Sequence, residues 1–192
     1  MKELVILSGK GGTGKTTIAA SFAALAKDKV LSDCDVDAAD LHLLLKPDSK
    51  ITNEFWAGQT AVIDADKCTE CGLCQDLCRF DAIHDYKVDP VACEGCCFCE
   101  NVCGEDAITM QENMSGHWYV SGTKYGPMVH AKLGIAQENS GRLVTVVRQN
   151  AKEKAEDSGL ELIISDGPPG IGCPVISSLS GATAALIVTE PS

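Results

Sequence analysis

The chain has 192 residues, 22% of them charged, with 16 basic against 27 acidic side chains and a net charge of −11. That acidity excludes a broad basic surface for nucleic acid, and no apolar run in the sequence reaches the roughly 20 residues that span a bilayer. Eleven cysteines would suit a disulfide framework in a small secreted protein, but no signal peptide opens the chain, so the expected compartment is the reducing cytoplasm.

Glu3 to Ser8 reads as a short, buried parallel strand running straight into glycines. Gly9-Lys10-Gly11-Gly12-Thr13-Gly14-Lys15-Thr16 then fits the phosphate-binding pattern G-x4-G-K-[ST]. A helix is expected from about Gly14 to Lys27, with Ile18, Ala19, Phe22, Ala23 and Leu25 at mostly helical spacing. Lys29 to Asp33 forms a second strand that ends at the acidic segment Asp33-Cys34-Asp35-Val36-Asp37. Strand, loop, helix and strand make a βαβ unit, so the sheet is expected to be parallel with its ligand at the strand carboxyl ends. Gly9, Gly11, Gly12, Thr13 and Gly14 let backbone amides approach phosphate oxygens at a helix N-terminus. Lys15 is expected at the outer phosphates and Thr16 at magnesium, with Thr17 closing the motif. Asp35 and Asp166 both follow strands, so one is expected to position an attacking water and the other to hold magnesium. Asp33, Asp37 and Asp40 crowd the first of these segments as caps or solvated charges.

From about residue 60 to 112 the chain turns to short segments punctuated by cysteine. Cys68-x2-Cys71-x2-Cys74-x3-Cys78 is repeated as Cys93-x2-Cys96-x2-Cys99-x3-Cys103. Both runs match the bacterial ferredoxin spacing, in which three cysteines of a run hold one cubane cluster and the fourth reaches the other. That pattern implies two 4Fe–4S clusters, one on Cys68, Cys71, Cys74 and Cys103, the other on Cys93, Cys96, Cys99 and Cys78. Zinc also uses C-x2-C pairs, but zinc ribbons need neither the third nor the fourth cysteine of each run. Arg79 and Gly104 stand where such runs usually carry proline, and Arg79 would favour the reduced form of a nearby cluster. Cys97, beside Cys96, is expected to point away and pack as a small hydrophobe. Val62–Asp64 and Ala107–Thr109 are expected as the outer hairpin strands of the module.

Beyond it, His117–Val120 and Met128–His130 bracket a glycine-containing turn and read as a hairpin. Arg142 to Asp157 is a charged amphipathic helix closed by Gly159 as its C′ residue. Leu160 to Ser165 is a buried strand meeting Asp166, and Ala184 to Thr189 is the last strand. A doubly wound domain would continue with further elements, so the chain reads as incomplete at its C-terminus. Cys34 and Cys173 are expected as buried structural thiols, and the four histidines, which show no ligand spacing, as structural too.

Gly9 to Thr17 resembles the deviant Walker A motif of the MinD/ParA/Mrp class, which includes the nitrogenase iron protein. Asp33-Cys34-Asp35 is similar to the first switch of that class, and Asp166-Gly167-Pro168-Pro169-Gly170 to the second. The resemblance implies an α/β P-loop NTPase with a mostly parallel sheet over residues 1–59 and 113–192, interrupted by an inserted ferredoxin domain at 60–112. It implies ATP with Mg2+, hydrolysis of the nucleotide, and an ATP-dependent homodimer in which Lys10 reaches the partner's nucleotide. In the nitrogenase iron protein a cysteine in the region of Cys173 bridges a cluster across the dimer, but the offset of the switch glycine differs here. The expected function is nucleotide-gated electron transfer through two clusters to redox protein partners, with no membrane segment and no nucleic acid. Two other readings stand beside it: an Mrp-type cluster carrier, and a MinD- or ParA-like positioning ATPase whose clusters only stabilise the fold.

Overall fold

A computed structural model describes residues 1–134 and 139–190. The last two positions of the sequence lie outside the described residues. In chain order the elements are β1 (Lys2–Ser8), α1 (Lys15–Leu25), β2 (Lys29–Asp33), α2 (Leu41–Leu45), β3 (Ser49–Ile63), α3 (Leu73–Asp76), β4 (Ile83–His84), β5 (Lys87–Val88), α4 (Phe98–Val102), β6 (Ile108–Thr123), β7 (Gly126–Leu133), α5 (Ser140–Asp157), β8 (Leu162–Pro169), α6 (Cys173–Leu179) and β9 (Ala184–Val188). The chain divides into two compact units, one of Met1–Phe55, Gly116–Gly134 and Asn139–Ser192, the other built on Trp56–Ser115. β3 and β6 each run from one unit into the other.

The first unit is a doubly wound α/β layer. The strand order is β3-β6-β7-β2-β8-β1-β9, and β7, β2, β8, β1 and β9 pair in parallel. β6 joins β7 antiparallel through the turn between Thr123 and Gly126, so the hairpin expected from sequence forms. Strand alternation divides the core between two faces. Ile6, Leu31, Met128 and Ile164 pack with Ala19 and Ala23 of α1 and Leu41 and Leu45 of α2. Val5, Val30 and Ile163 alternate with them, and the buried stripe Leu143, Val144, Val147 and Ala151 of α5 supplies further core. Burying each large side chain contributes roughly 1.5–3 kcal/mol. α1 buries the stripe Lys15, Ala19 and Ala23, whereas Phe22 and Leu25, expected on its apolar face, are exposed. A stripe of small residues lets the helix lie close against the sheet, and the two larger side chains project outward.

The helix ends follow the chain chemistry. Gly159 takes a φ of +65°, and its amide reaches the Glu156 carbonyl (3.1 Å), closing α5 as expected. β8 does not stop at Ser165: it carries Asp166 within it and runs on to Pro169, with its register to β1 shifting between Ile6 and Ser8. Gly167 is required at this irregularity, because a Cβ there would come within 2.9 Å of the Ile6 carbonyl oxygen.

The second unit is short-segmented. Val62–Asp64 and Ala107–Thr109 fall at strand ends, not in separate short strands: Val62 and Ile63 close the long β3 and Ile108 and Thr109 open the long β6, with Asp64 and Ala107 just outside them. Their chain ends are tied by the Asp64 amide on the Ala107 carbonyl (2.8 Å). Inside the unit the two cysteine runs fold alike. Each leads through a residue in the left-handed region, Gly72 (φ +80°) or Cys97 (φ +62°), into the short helices α3 and α4. Each then turns so that a backbone amide four residues on donates to the last thiol, Ala82 to Cys78 and Ala107 to Cys103, both at 3.4 Å.

Candidate functional site

The phosphate-type loop lies between β1 and α1. Gly14, the N-cap of α1, has a φ of +81° and offers no side-chain cap, so the helix begins with free amides. A Cβ placed on Gly9, Gly11, Gly12 or Gly14 would meet nothing within 4 Å. The glycines therefore face open space rather than packed protein, and bare amides at a helix N-terminus in open space suit an anion. The cavity there measures about 590 Å3, with Thr13, Lys15, Thr16, Thr17, Asp35 and Pro169 in its wall. Thr13 Oγ1 is buried and has no hydrogen-bond partner among the described residues. The Ser8 hydroxyl donates to the Lys10 carbonyl (2.9 Å) and so fixes the entry to the loop.

Lys15 is 6% exposed, and its Nζ lies 2.7 Å from Asp166 Oδ1 and 3.8 Å from Asp35 Oδ2. Burial raises the Asp166 carboxyl above its ordinary range, with the Lys15 ammonium and the Thr16 hydroxyl opposing. Burial raises Asp35 as well, against Lys15 and with Asp166 adding to the rise. The sequence reading placed Asp33 in the first switch-like segment as a cap or solvated charge, not as a buried site residue. It is fully buried, faces Asp166 across the β2–β8 register, and accepts from the amides of Asp35 (3.1 Å) and Leu41 (3.1 Å). Burial, then the nearby Asp166, pushes its carboxyl well above the usual range. Three carboxylates thus crowd one ammonium. Only knowledge of the strand order brings Asp33 and Asp166 together, so no local signal in the sequence could have found the pair. Lys10, by contrast, is exposed and lies 3.6 Å from Glu190.

The second unit holds two cavities. One, of about 290 Å3, is lined by Cys68, Cys71, Cys74 and Cys103, with Ile63 and Ile108 among its apolar neighbours. The other, of about 410 Å3, is lined by Cys78, Cys93, Cys96 and Cys99, and Cys74 and Cys97 also reach it. Gly104 borders the first and Arg79 the second. Burial raises the thiols of Cys74 and Cys99, and the neighbouring cysteines of the same run add to both rises. Among the described residues no three His, Cys, Asp or Glu side chains are grouped to hold a metal ion.

Three cysteines outside these sets differ from one another. Cys34 is fully buried, and burial lifts its thiol to about 12, so it is unreactive. Cys173 is exposed at the start of α6, not buried as expected, because it is the first residue of a helix whose only buried side chain is Ser178. Cys97 does not pack as a hydrophobe; its half-buried thiol donates to the Gly95 carbonyl (3.4 Å).

A buried polar relay crosses the first unit beside the nucleotide-type site. Arg148 grips Glu3 through Nε (2.8 Å) and Nη2 (2.6 Å), and its Nη1 donates to the carbonyls of Ser177 (2.6 Å) and Ser180 (2.8 Å). Ser165 donates to Glu3 (3.0 Å) and accepts from Ser32 (2.7 Å). The relay ties α5 and the end of α6 to β1, β8 and β2.

Among known proteins, the chain is 38% identical over 192 residues to the uncharacterized protein MJ0578 of Methanocaldococcus jannaschii, covering 98% of this chain and 67% of that one. The septum site-determining protein MinD of Pyrococcus horikoshii, solved with Mg-ADP, is 20% identical with a TM-score of 0.47, over 100% of this chain and 58% of that one. The cell division ATPase MinD of Pyrococcus furiosus is 21% identical with a TM-score of 0.46, over 98% and 59%. The chain therefore spans less than two thirds of either solved protein. No helix among the described residues is long and apolar enough to cross a membrane. The profile of one family matches residues 4–186, nearly the whole described chain, and by that match the chain belongs to the CobQ/CobB/MinD/ParA nucleotide-binding domain family.

Proposed function

We propose that this chain is an ATP-binding and ATP-hydrolysing iron–sulfur protein, in which the nucleotide state of the first unit controls electron transfer through two 4Fe–4S clusters held by the second. The observation that carries the redox half is the sorting of the cysteines. One cavity collects Cys68, Cys71, Cys74 and Cys103, and the other collects Cys78, Cys93, Cys96 and Cys99, with Cys97 and the shared Cys74 also in its wall. Apart from Cys97 and the shared Cys74, each set takes three thiols from one run and the last thiol from the other, the exchange that the ferredoxin spacing requires. The donors are all sulfur in apolar surroundings, which suits iron–sulfur chemistry. Such clusters, bound there, supply one-electron transfer.

The nucleotide half rests on the residues of the loop. Amides of Gly11 to Thr16 are offered to phosphate oxygens, and Lys15 leaves Asp166 to neutralise the outer phosphates. Thr16 and Asp166, which share a hydrogen bond, would then supply oxygen ligands to Mg2+ directly or through water. Asp35, desolvated and freed from Lys15, would orient the attacking water. Lys10, solvent-facing, is available to the nucleotide of a second copy in an ATP-dependent homodimer. Redox protein partners with basic patches fit the acidity of the chain.

Purification without oxygen, followed by iron and sulfide analysis and electron paramagnetic resonance, tests the assignment. About eight irons per chain with cubane signals are expected. Zinc in place of iron, or metal-free protein, would overturn the redox half.

A further inference from the structure

The segment 35–41 joins β2 to α2 and carries Asp35, the carboxylate assigned to the attacking water. Val36 is buried, but residues 37–40 are not, so packing fixes only the start of the segment. Something else must hold Asp35 at 3.8 Å from Lys15.

Asp33 supplies the ties. Its Oδ1 accepts from the Asp35 amide and its Oδ2 from the Leu41 amide, both at 3.1 Å, so one fully buried carboxyl grips both ends of the segment. Leu41 is the first residue of α2, and Asp40, which stands at the N-cap position, makes no side-chain cap. The helix is therefore capped from eight residues upstream, by a side chain already fixed in the central sheet. Between the two ties, the Val36 carbonyl accepts from the Leu133 amide of β7 (3.0 Å). Each Asp33 oxygen accepts an amide whether or not the group carries a proton, because an acid hydroxyl keeps acceptor capacity. The NH2 of an asparagine only donates, so Asn at this position would leave one of the two amides without a partner.

We infer that Asp33 is a positioning residue for nucleotide hydrolysis, its two-ended clamp on segment 35–41 holding Asp35 where it orients the attacking water. Asp33 is not among the residues that line the nucleotide-type cavity, so it acts through Asp35 and not on the nucleotide. The phosphates are gripped elsewhere, by the glycine loop and Lys15, so the clamp governs turnover more than binding. The inference rests on the proposed role of Asp35.

ATP turnover, Mg-ADP binding and amide hydrogen exchange of the whole protein test it, in the wild type, Asp35→Asn and Asp33→Asn. In the nucleotide-free wild type the Asp35 and Leu41 amides should exchange at least about tenfold more slowly than in an unstructured peptide. Asp33→Asn should lower kcat at least about tenfold, since small misplacements of a catalytic group are costly. Its Kd for Mg-ADP should stay within about threefold of the wild type. Exchange at Asp35 or Leu41 should quicken in this variant while β1 and α1 keep their protection. Unprotected amides at both positions in the wild type overturn the inference, and so does wild-type turnover in Asp33→Asn where Asp35→Asn is slow. Equal losses of kcat and Mg-ADP affinity, with faster exchange throughout the first unit, mark a general structural role and overturn it too. Asp35→Asn turning over as fast as the wild type would remove the role of Asp35 itself, and this inference with it.

Discussion

Cys97 illustrates how one side chain can be misread when chemistry is inferred from type alone. It occupies, in the second cysteine run, the place that Gly72 holds in the first, and both adopt the left-handed conformation that starts a short helix. The position asks for φ > 0, and glycine fills it without the steric cost that Cβ brings, roughly 1–2 kcal/mol. Cys97→Gly should therefore raise the urea midpoint by the equivalent of about 1 kcal/mol and leave the iron content unchanged. Loss of iron in that variant would make Cys97 a ligand. The acids around Lys15 allow a second test at this scale. Asp33, Asp35 and Asp166 all have raised pKa values in the folded protein. Between their ordinary range, near pH 4, and those raised values the folded chain binds more protons than the unfolded chain. Stability is then lost as pH rises through that window and regained as pH falls. The urea midpoint of nucleotide-free protein should rise from about pH 7 to about pH 5, and Asp166→Asn should flatten the trend. A midpoint that falls steadily on acidification would contradict the buried-acid reading.

At the scale of elements, the strength of each local signal decides what the sequence reveals. β1, the glycine loop and α1 are legible because an apolar run, a phosphate-type motif and a helical stripe follow one another directly. The β6–β7 hairpin and the Gly159 helix end are legible for the same reason. In the first unit three stretches are silent. The first part of β3, Ser49 to Phe55, is mostly exposed and lacks an apolar face. α2 is a five-residue helix, and α6 starts with a cysteine and a proline directly after glycine-rich sequence. β8 misleads in another way: Asp-Gly-Pro-Pro reads as a stop, yet pairing with β1 carries the strand through it. The candidate site shows the same division, since Lys15 and the cysteine runs are motif-encoded while Asp33 and the Glu3–Arg148 pair emerge only from the strand order. Arg148 joins helix α5 to the sheet and to α6 through four hydrogen bonds to Glu3, Ser177 and Ser180. Removing one partner of a buried pair strands the other charge, so Arg148→Ala should cost about 3–5 kcal/mol in urea unfolding. A loss below about 1 kcal/mol would mean the pair behaves like a surface contact.

For the molecule as a whole, the account joins a nucleotide unit and a thiol-rich unit in one acidic chain. Two oxidised cubanes would bring its net charge from −11 to roughly −15. Encounter with a redox partner should then run through the partner's basic patches and slow as ionic strength rises. Family membership accounts for the nucleotide unit, and the redox role of the thiol-rich unit is the proposal that iron analysis tests. The proposed function requires that the two communicate. The most direct test is the rate at which the clusters are reduced by a chemical donor in oxygen-free solution, with ATP, with ADP and with no nucleotide. The account predicts different rates in the three conditions. Identical rates would contradict it.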